Sequence, residues 1–317
     1  MSTQTYLVTG SMGCLGAWVL HHLVKQGQRP ISFDISENRS RVNLLLTEEE
    51  QLKITFVKGD LTNFDQVIET IRTHAVTHIV HLAALQIPFC RANPVLGAQV
   101  NVVGTVNIFE AAKQVGIKHL TYASSVAVYG PASLYPQVPV PFDALHAPTT
   151  LYGAYKVANE TTARVYWQDH GISSTAFRPY TVYGVGRDQG LTSDPTKALL
   201  AAVKGDALNI NFVGETQFHF ASDTALQFID AAGLPSEGAA VYSLGTPAVT
   251  VEQFVAHVKA LRPDAKITYS GSRLPFPPSF DTAMLYSHVP KVYETPLQDG
   301  ILQTLQTFES CVARGLL

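Results

Sequence analysis

Thr5-Tyr6-Leu7-Val8-Thr9-Gly10-Ser11-Met12-Gly13-Cys14-Leu15-Gly16 is the stretch that decides the fold. Tyr6 to Val8 is a short apolar run of strand-forming residues. Three glycines follow at three-residue spacing, and then Ala17, Val19, Leu20 and Leu23 repeat with helical period. Strand, tight turn and helix start in that order form a site for the phosphates of a dinucleotide. Gly10 permits the turn, Gly13 lets a pyrophosphate approach the backbone, and Gly16 lets helix and strand pack closely. The N–H groups of the helix start and the helix dipole favour the anion. The spacing is G-x-x-G-x-x-G rather than G-x-G-x-x-G, and an ordinary glycine-rich turn has the same pattern. Met12, Cys14 and Leu15 share the expected cofactor wall.

Downstream residues extend that wall. Pro30 to Asp34 reads as a second strand, and Asp34 lies where an acid accepts hydrogen bonds from the adenosine ribose. That acid favours NAD over NADP, although Arg39 and Arg41 follow it closely. Ile54 to Val57 reads as a third strand ending in Gly59-Asp60-Leu61, with Asp60 and Leu61 on the adenine side. Thr77 to Leu82 is a fourth, and Leu82, Ala83 and Ala84 present small or apolar residues to the cofactor. His81 reads as a core or strand-end histidine. Gln86 to Pro94 reads as a loop in which Gln86 faces substrate and Arg91 faces solvent. Val95 to Gln114 is a long helix, and its Asn101 suits a bond to buried backbone, a water relay or a place facing solvent, and is counted with the cofactor residues. Lys118 to Ala123 and Ile172 to Phe177 complete six strands, the last closed by Arg178-Pro179-Tyr180, with Tyr180 again on the cofactor side.

This alternation argues an α/β protein with a doubly wound parallel sheet. Residues 1–180 read as a dinucleotide-binding domain, with later sheet pieces near 215–245. Residues 181–317 read mainly as a smaller substrate-binding region. The bulk properties agree: 317 residues, 46% hydrophobic and 15% charged, suit a large core. A formal charge of −3 leaves no basic footprint for nucleic acid. No uninterrupted apolar run suits a membrane span, and no basic segment precedes the first apolar run as in a signal peptide. Cys14, Cys90 and Cys311 are far apart, which suggests a reduced, cytoplasmic setting and no metal cluster.

The chemistry sits at Tyr152-Gly153-Ala154-Tyr155-Lys156. A helix from Leu151 to about Asp169 places Tyr152 and Lys156 on one face, one turn apart. A free tyrosine titrates near 10, and the neighbouring ammonium is expected to favour its phenolate. Ser125, at the end of the fifth strand, can orient a substrate oxygen. Tyr152 then moves the proton, Lys156 tunes it and grips the ribose, and hydride passes to or from a nicotinamide.

These pieces resemble the extended short-chain dehydrogenase/reductase family, in its NAD-dependent epimerase/dehydratase branch. The resemblance rests on Gly10/Gly13/Gly16, Asp34, Gly59-Asp60-Leu61, His81 to Ala84 and Asn101 with Gly104-Thr105. It rests further on Ser124-Ser125 before Val128-Tyr129-Gly130, Tyr152 with Lys156, and Arg178-Pro179 before Val182-Tyr183-Gly184. It implies a Rossmann-like fold, a nicotinamide cofactor, Ser125 rather than Ser124 as the catalytic serine, and often a homodimer built on the two long helices. Tyr155 stands where the family often has serine. Thr181 stands where nucleotide-sugar members usually have asparagine, and Thr216 to Asp223 lacks their diphosphate-clamping arginine. With Gln86, Thr181 and Arg187 facing substrate, the expectation is a smaller molecule: a sugar, sugar acid or hydroxy acid. Phe89, Thr192, Phe218 and His219 are further pocket candidates, each equally suited to packing. The leading activity is an NAD-dependent dehydrogenase. A sugar epimerase with tightly bound NAD is the alternative, and a non-catalytic dinucleotide sensor comes behind both.

Overall fold

The computed structural model describes residues 4–234 and 236–317. Twelve strands occur in chain order: β1 Tyr6–Thr9, β2 Ile31–Asp34, β3 Thr55–Lys58, β4 His78–His81, β5 His119–Ala123 and β6 Ser173–Arg178, then β7 Thr181–Tyr183, β8 Ala207–Val213, β9 Glu215–Phe220, β10 Ala239–Ser243, β11 Ala248–Thr250 and β12 Lys266–Arg273. Seven of them form one parallel sheet in the order β10-β6-β5-β4-β1-β2-β3. All four residues of β1 are buried, as in a sheet covered by helices on both faces. Trp18, Val19 and Leu23 of the helix Cys14–Lys25 pack on one face with Phe228 and Ile229 of the helix Ala221–Gly233. Val67, Ile68 and Ile71 pack on the other with Ile108 and Phe109. The strand order reverses between β1 and β4. The crevice beyond the carboxyl ends of the strands at such a reversal is where open α/β sheets bind ligands.

The later chain departs from simple alternation. Of the stretch expected to return to the sheet near 215–245, only β10 does so. β9 instead forms a three-stranded sheet with β7 and β11, and β8 pairs with β12. The expected loop Gln86–Pro94 is largely helical, over Ile87–Ala92, and a second helix, Pro94–Ala98, follows. Asn93 separates the two, and its side chain caps the second by accepting from Leu96 N–H at 3.0 Å. Five residues, Gln99–Val103, form a π-helical turn before the helix Gly104–Val115. Against the expectation of no such run, Pro94–Val115 is long and apolar enough to cross a membrane. Here it packs against the helices Phe64–Thr73 and Leu151–His170.

Candidate active site

One cavity of about 660 Å³ runs along the carboxyl ends of the central strands. Its floor is the glycine turn. Gly10 has φ +66°, and a side chain there would strike the Ala83 backbone at 2.6 Å. A Cβ on Gly16 would stand 2.2 Å from the Gly10 carbonyl oxygen. Helix, turn and β4 therefore meet at backbone contact, which leaves a cradle open to a pyrophosphate. Gly10, Met12, Gly13, Cys14, Leu15 and Gly16 all line it, as do Asp34, Asp60, Leu61, Leu82, Ala83, Ala84 and Tyr180. These residues fit a dinucleotide. Asp34 also pins the turn, because its carboxylate accepts from Met12 N–H at 2.9 Å and from Ser36 N–H at 2.8 Å. Burial pushes the Cys14 thiol up to about 12, so it stays protonated.

The middle of the cavity holds Ser125, Tyr152 and Lys156 together. Thr150 caps the helix Leu151–His170 by accepting from Gly153 N–H at 3.0 Å. Gly153 lets this helix touch the Val126–Val128 turn, because a Cβ there would lie 2.1 Å from the Ala127 carbonyl oxygen. That close approach brings Tyr152 over the end of β5. Ser125 begins the turn, its hydroxyl oxygen accepting from Ala127 N–H at 3.2 Å. Ser124 points elsewhere. Its hydroxyl donates to buried Glu160, whose carboxylate is gripped by Arg178 through Nε at 2.9 Å and Nη2 at 2.7 Å. Tyr155 also faces away, donating to the Pro94 carbonyl at 2.9 Å.

Lys156 is 3% exposed and donates to the Ala123 carbonyl at 2.6 Å, with its Nζ 5.6 Å from the centre of the Tyr152 ring. Burial pushes its pKa down to about 8. The expected depression of Tyr152 is not found in the protein without cofactor. Burial raises its pKa above the ordinary value, while a hydrogen bond with Ser125 and the Arg187 charge oppose that rise. The ammonium is tied to the Ala123 carbonyl, so the guanidinium is the cation that acts on the phenol.

At the substrate end, Gln86, Phe89, Arg187 and Thr192 line the cavity. Arg187 Nη2 donates to Thr192 Oγ1 at 3.3 Å, while Arg187 Nε and Gln86 Oε1 are buried with no partner. Four candidates lie off the wall. Asn101 is buried in the π-helical turn, where Oδ1 accepts from Leu85 N–H at 2.7 Å and Nδ2 donates to the Leu85 carbonyl at 2.9 Å. It holds the backbone that precedes Gln86 and does not reach the cavity. Thr181 faces into the small sheet, its hydroxyl 2.7 Å from that of Thr216. Phe218 stacks on Phe254, and His219 Nδ1 accepts from Tyr180 N–H at 3.0 Å. His81 is a core residue, hydrogen-bonded to Thr9 at 2.7 Å and Thr105 at 3.1 Å. Asp188 and Phe276 line the cavity without having been singled out for it in the sequence, and Arg41, noted there as a charge close to Asp34, lines it as well. Only proximity in the folded chain marks Asp188 and Phe276. Among the described residues, no group of three or more His, Cys, Asp or Glu is placed to hold a metal ion.

Comparison with known proteins agrees with this geometry. Residues 6–242 match the model of the NAD dependent epimerase/dehydratase family. A UDP-glucose 4-epimerase of Mycolicibacterium smegmatis is 30% identical over 76% of this chain and 76% of its own. Other curated relatives are matched over 58%, 59% and 53% of their lengths. Two solved structures share the fold at 19% identity and a TM-score of 0.84. One is a UDP-glucose 4-epimerase of Thermotoga maritima with UDP-glucose, covering 98% of this chain and 100% of that one. The other is an L-threonine dehydrogenase of Clostridium difficile, covering 98% and 99%.

Proposed function

Because the chain belongs to the NAD-dependent epimerase/dehydratase family, we propose that it transfers hydride between NAD and a secondary alcohol or ketone of a small polyhydroxylated substrate. A sugar, a sugar acid or a hydroxy acid fits that description. The observation that supports this reading is the meeting of Ser125, Tyr152 and Lys156 in the cavity that the glycine turn opens. NAD, when bound, supplies the hydride acceptor or donor. Tyr152 Oη takes or gives the proton at the substrate oxygen, and Ser125 Oγ orients that oxygen. Lys156 grips the ribose. Ser124 does not compete for the role, since its hydroxyl is engaged by Glu160.

The substrate end favours a small molecule. Of the three cations on the cavity wall, Lys156 is bonded to a carbonyl and Arg41 to a carboxylate. Arg187 alone, with Nε unpartnered, is left for an acidic group. One guanidinium suits a carboxylate; a buried diphosphate calls for more compensation.

An epimerase that uses the same hydride step twice is the second reading, favoured by the similarity to the mycobacterial enzyme. A non-catalytic sensor has no need of Tyr152 or Lys156. The test is a panel of sugars, sugar acids and hydroxy acids with added NAD. A dehydrogenase accumulates reduced cofactor, whereas an epimerase is purified with cofactor bound and converts substrate without net reduction. Tyr152→Phe lowers either activity by roughly 10²- to 10⁴-fold; an unaffected variant would sink the hydride-transfer reading. We further infer a cytoplasmic homodimer, from the three free cysteines and from exposed Val103 and Val165 on the two long helices.

A further inference from the structure

The adenosine wall of the cavity carries a second acid that no local pattern flags. Asp188 lies in the loop after β7, and it accepts from Arg41 through Nη2 at 2.6 Å and Nε at 3.1 Å. The remaining nitrogen of Arg41, Nη1, donates to the Met12 carbonyl at 2.9 Å. The N–H of Met12 is held by Asp34, so Arg41 and Asp34 grip one residue of the glycine turn through its two polar backbone groups. Arg41 lines the cavity beside Asp34, Ser36 and Asn38, and its side chain is only 20% exposed. Two other cations near the end of β2 are also engaged. Arg39 lies 3.6 Å above the centre of the Phe56 ring. Lys58, in register with Asp34, donates to Glu37 at 2.8 Å.

We propose that Asp188 determines cofactor choice by withholding Arg41 from a 2′-phosphate. A phosphate at the adenosine ribose carries close to two charges and is best met by the planar fork of a guanidinium. An acid at the end of β2 opposes it directly. Asp34 supplies that opposition here. Asp188 adds a separate one: it neutralises the guanidinium on that wall and fills its donor fork. NAD brings no 2′-phosphate and does not need Arg41 released. Selectivity of this kind comes from what the site denies the competitor rather than from an added contact to the preferred ligand.

The inference rests on the dinucleotide site and not on the reaction, so it is read by binding. Titration calorimetry with NAD and NADP on the full chain compares wild type, Asp34→Ser, Asp34→Ser with Asp188→Ala, and that double variant with Arg41→Ala added. Asp34→Ser alone is expected to improve NADP binding less than threefold. Adding Asp188→Ala is expected to improve the NADP-to-NAD affinity ratio at least fivefold further, and adding Arg41→Ala to cancel that gain. A smaller gain, or one that survives loss of Arg41, overturns the proposal. Asp188→Asn replaces Asp188→Ala if the latter does not fold, and the same criteria apply. Wild-type binding of NAD reads the integrity of the site separately.

Discussion

In the proposed reaction Tyr152 gives up a proton in a setting that opposes it. Burial raises its pKa, and the groups that pull it back are Ser125 and Arg187. Alcohol oxidation needs the phenolate, so its rate is expected to climb by about tenfold per pH unit while the phenol is still mostly protonated, whereas ketone reduction stays level over that range and falls only where the phenol ionises. Lys156, whose pKa burial pushes down to about 8, loses its charge above that pH and with it part of its grip on the ribose in the proposed complex. Arg187→Met removes one of the two groups that lower the phenol. It is expected to move the oxidation profile to higher pH and to slow the reaction near neutrality, with partial rescue by Arg187→Lys. Initial rates across the pH range check this, and an unmoved profile in Arg187→Met counts against the guanidinium's role.

The π-helical turn Gln99–Val103 shows what an element contributes that its residues alone do not reveal. It buries Asn101 and turns its amide onto the N–H and the carbonyl of Leu85, just before cavity-lining Gln86. Asn101→Ala leaves the Leu85 N–H without its partner, the carbonyl keeping the Cys90 thiol at 3.2 Å, and is expected to cost about 1–3 kcal/mol in urea unfolding. It should also lower kcat/KM by about tenfold as Gln86 loses its support; unchanged values for both would remove its positioning role. The glycine turn and the Tyr152–Lys156 pair were legible from sequence because each acts within one turn and at a spacing its chemistry requires. Asn101 was legible only as a choice among buried backbone, a water relay and solvent, and its place among the cofactor residues did not follow, since an amide on an apolar helix suits each of these. Thr181 was misplaced because three-residue β7 has too little alternation to show which face is inward, and that face meets Thr216. Arg41 and Asp188 are distant in sequence, and opposite charges so far apart leave no pattern to read. The pKa of Tyr152 depended on where the Lys156 ammonium was tied, which spacing does not disclose.

At the scale of the molecule, the helices Pro94–Val115 and Leu151–His170 pack on each other and still expose Val95, Val103, Leu151 and Val165. Sedimentation is expected to give a dimer, and Val103→Glu with Val165→Glu to give a monomer that keeps its fold, because charges at an apolar interface are unpaired. A dimer indifferent to both changes would place the contact elsewhere. The order in which the large sheet is completed has a further effect. β10 closes the β6 edge only after β7, β8 and β9 have been made. The helix Ala221–Gly233, which covers β4 and β5, is bonded through its Ala231 and Phe228 carbonyls to His119 and Thr121. A chain emerging from the ribosome therefore carries a bare strand edge and an uncovered apolar face for most of its synthesis, the kind of surface that chaperones shield. A fragment stopped at residue 238 should collect in the insoluble fraction while the full chain does not.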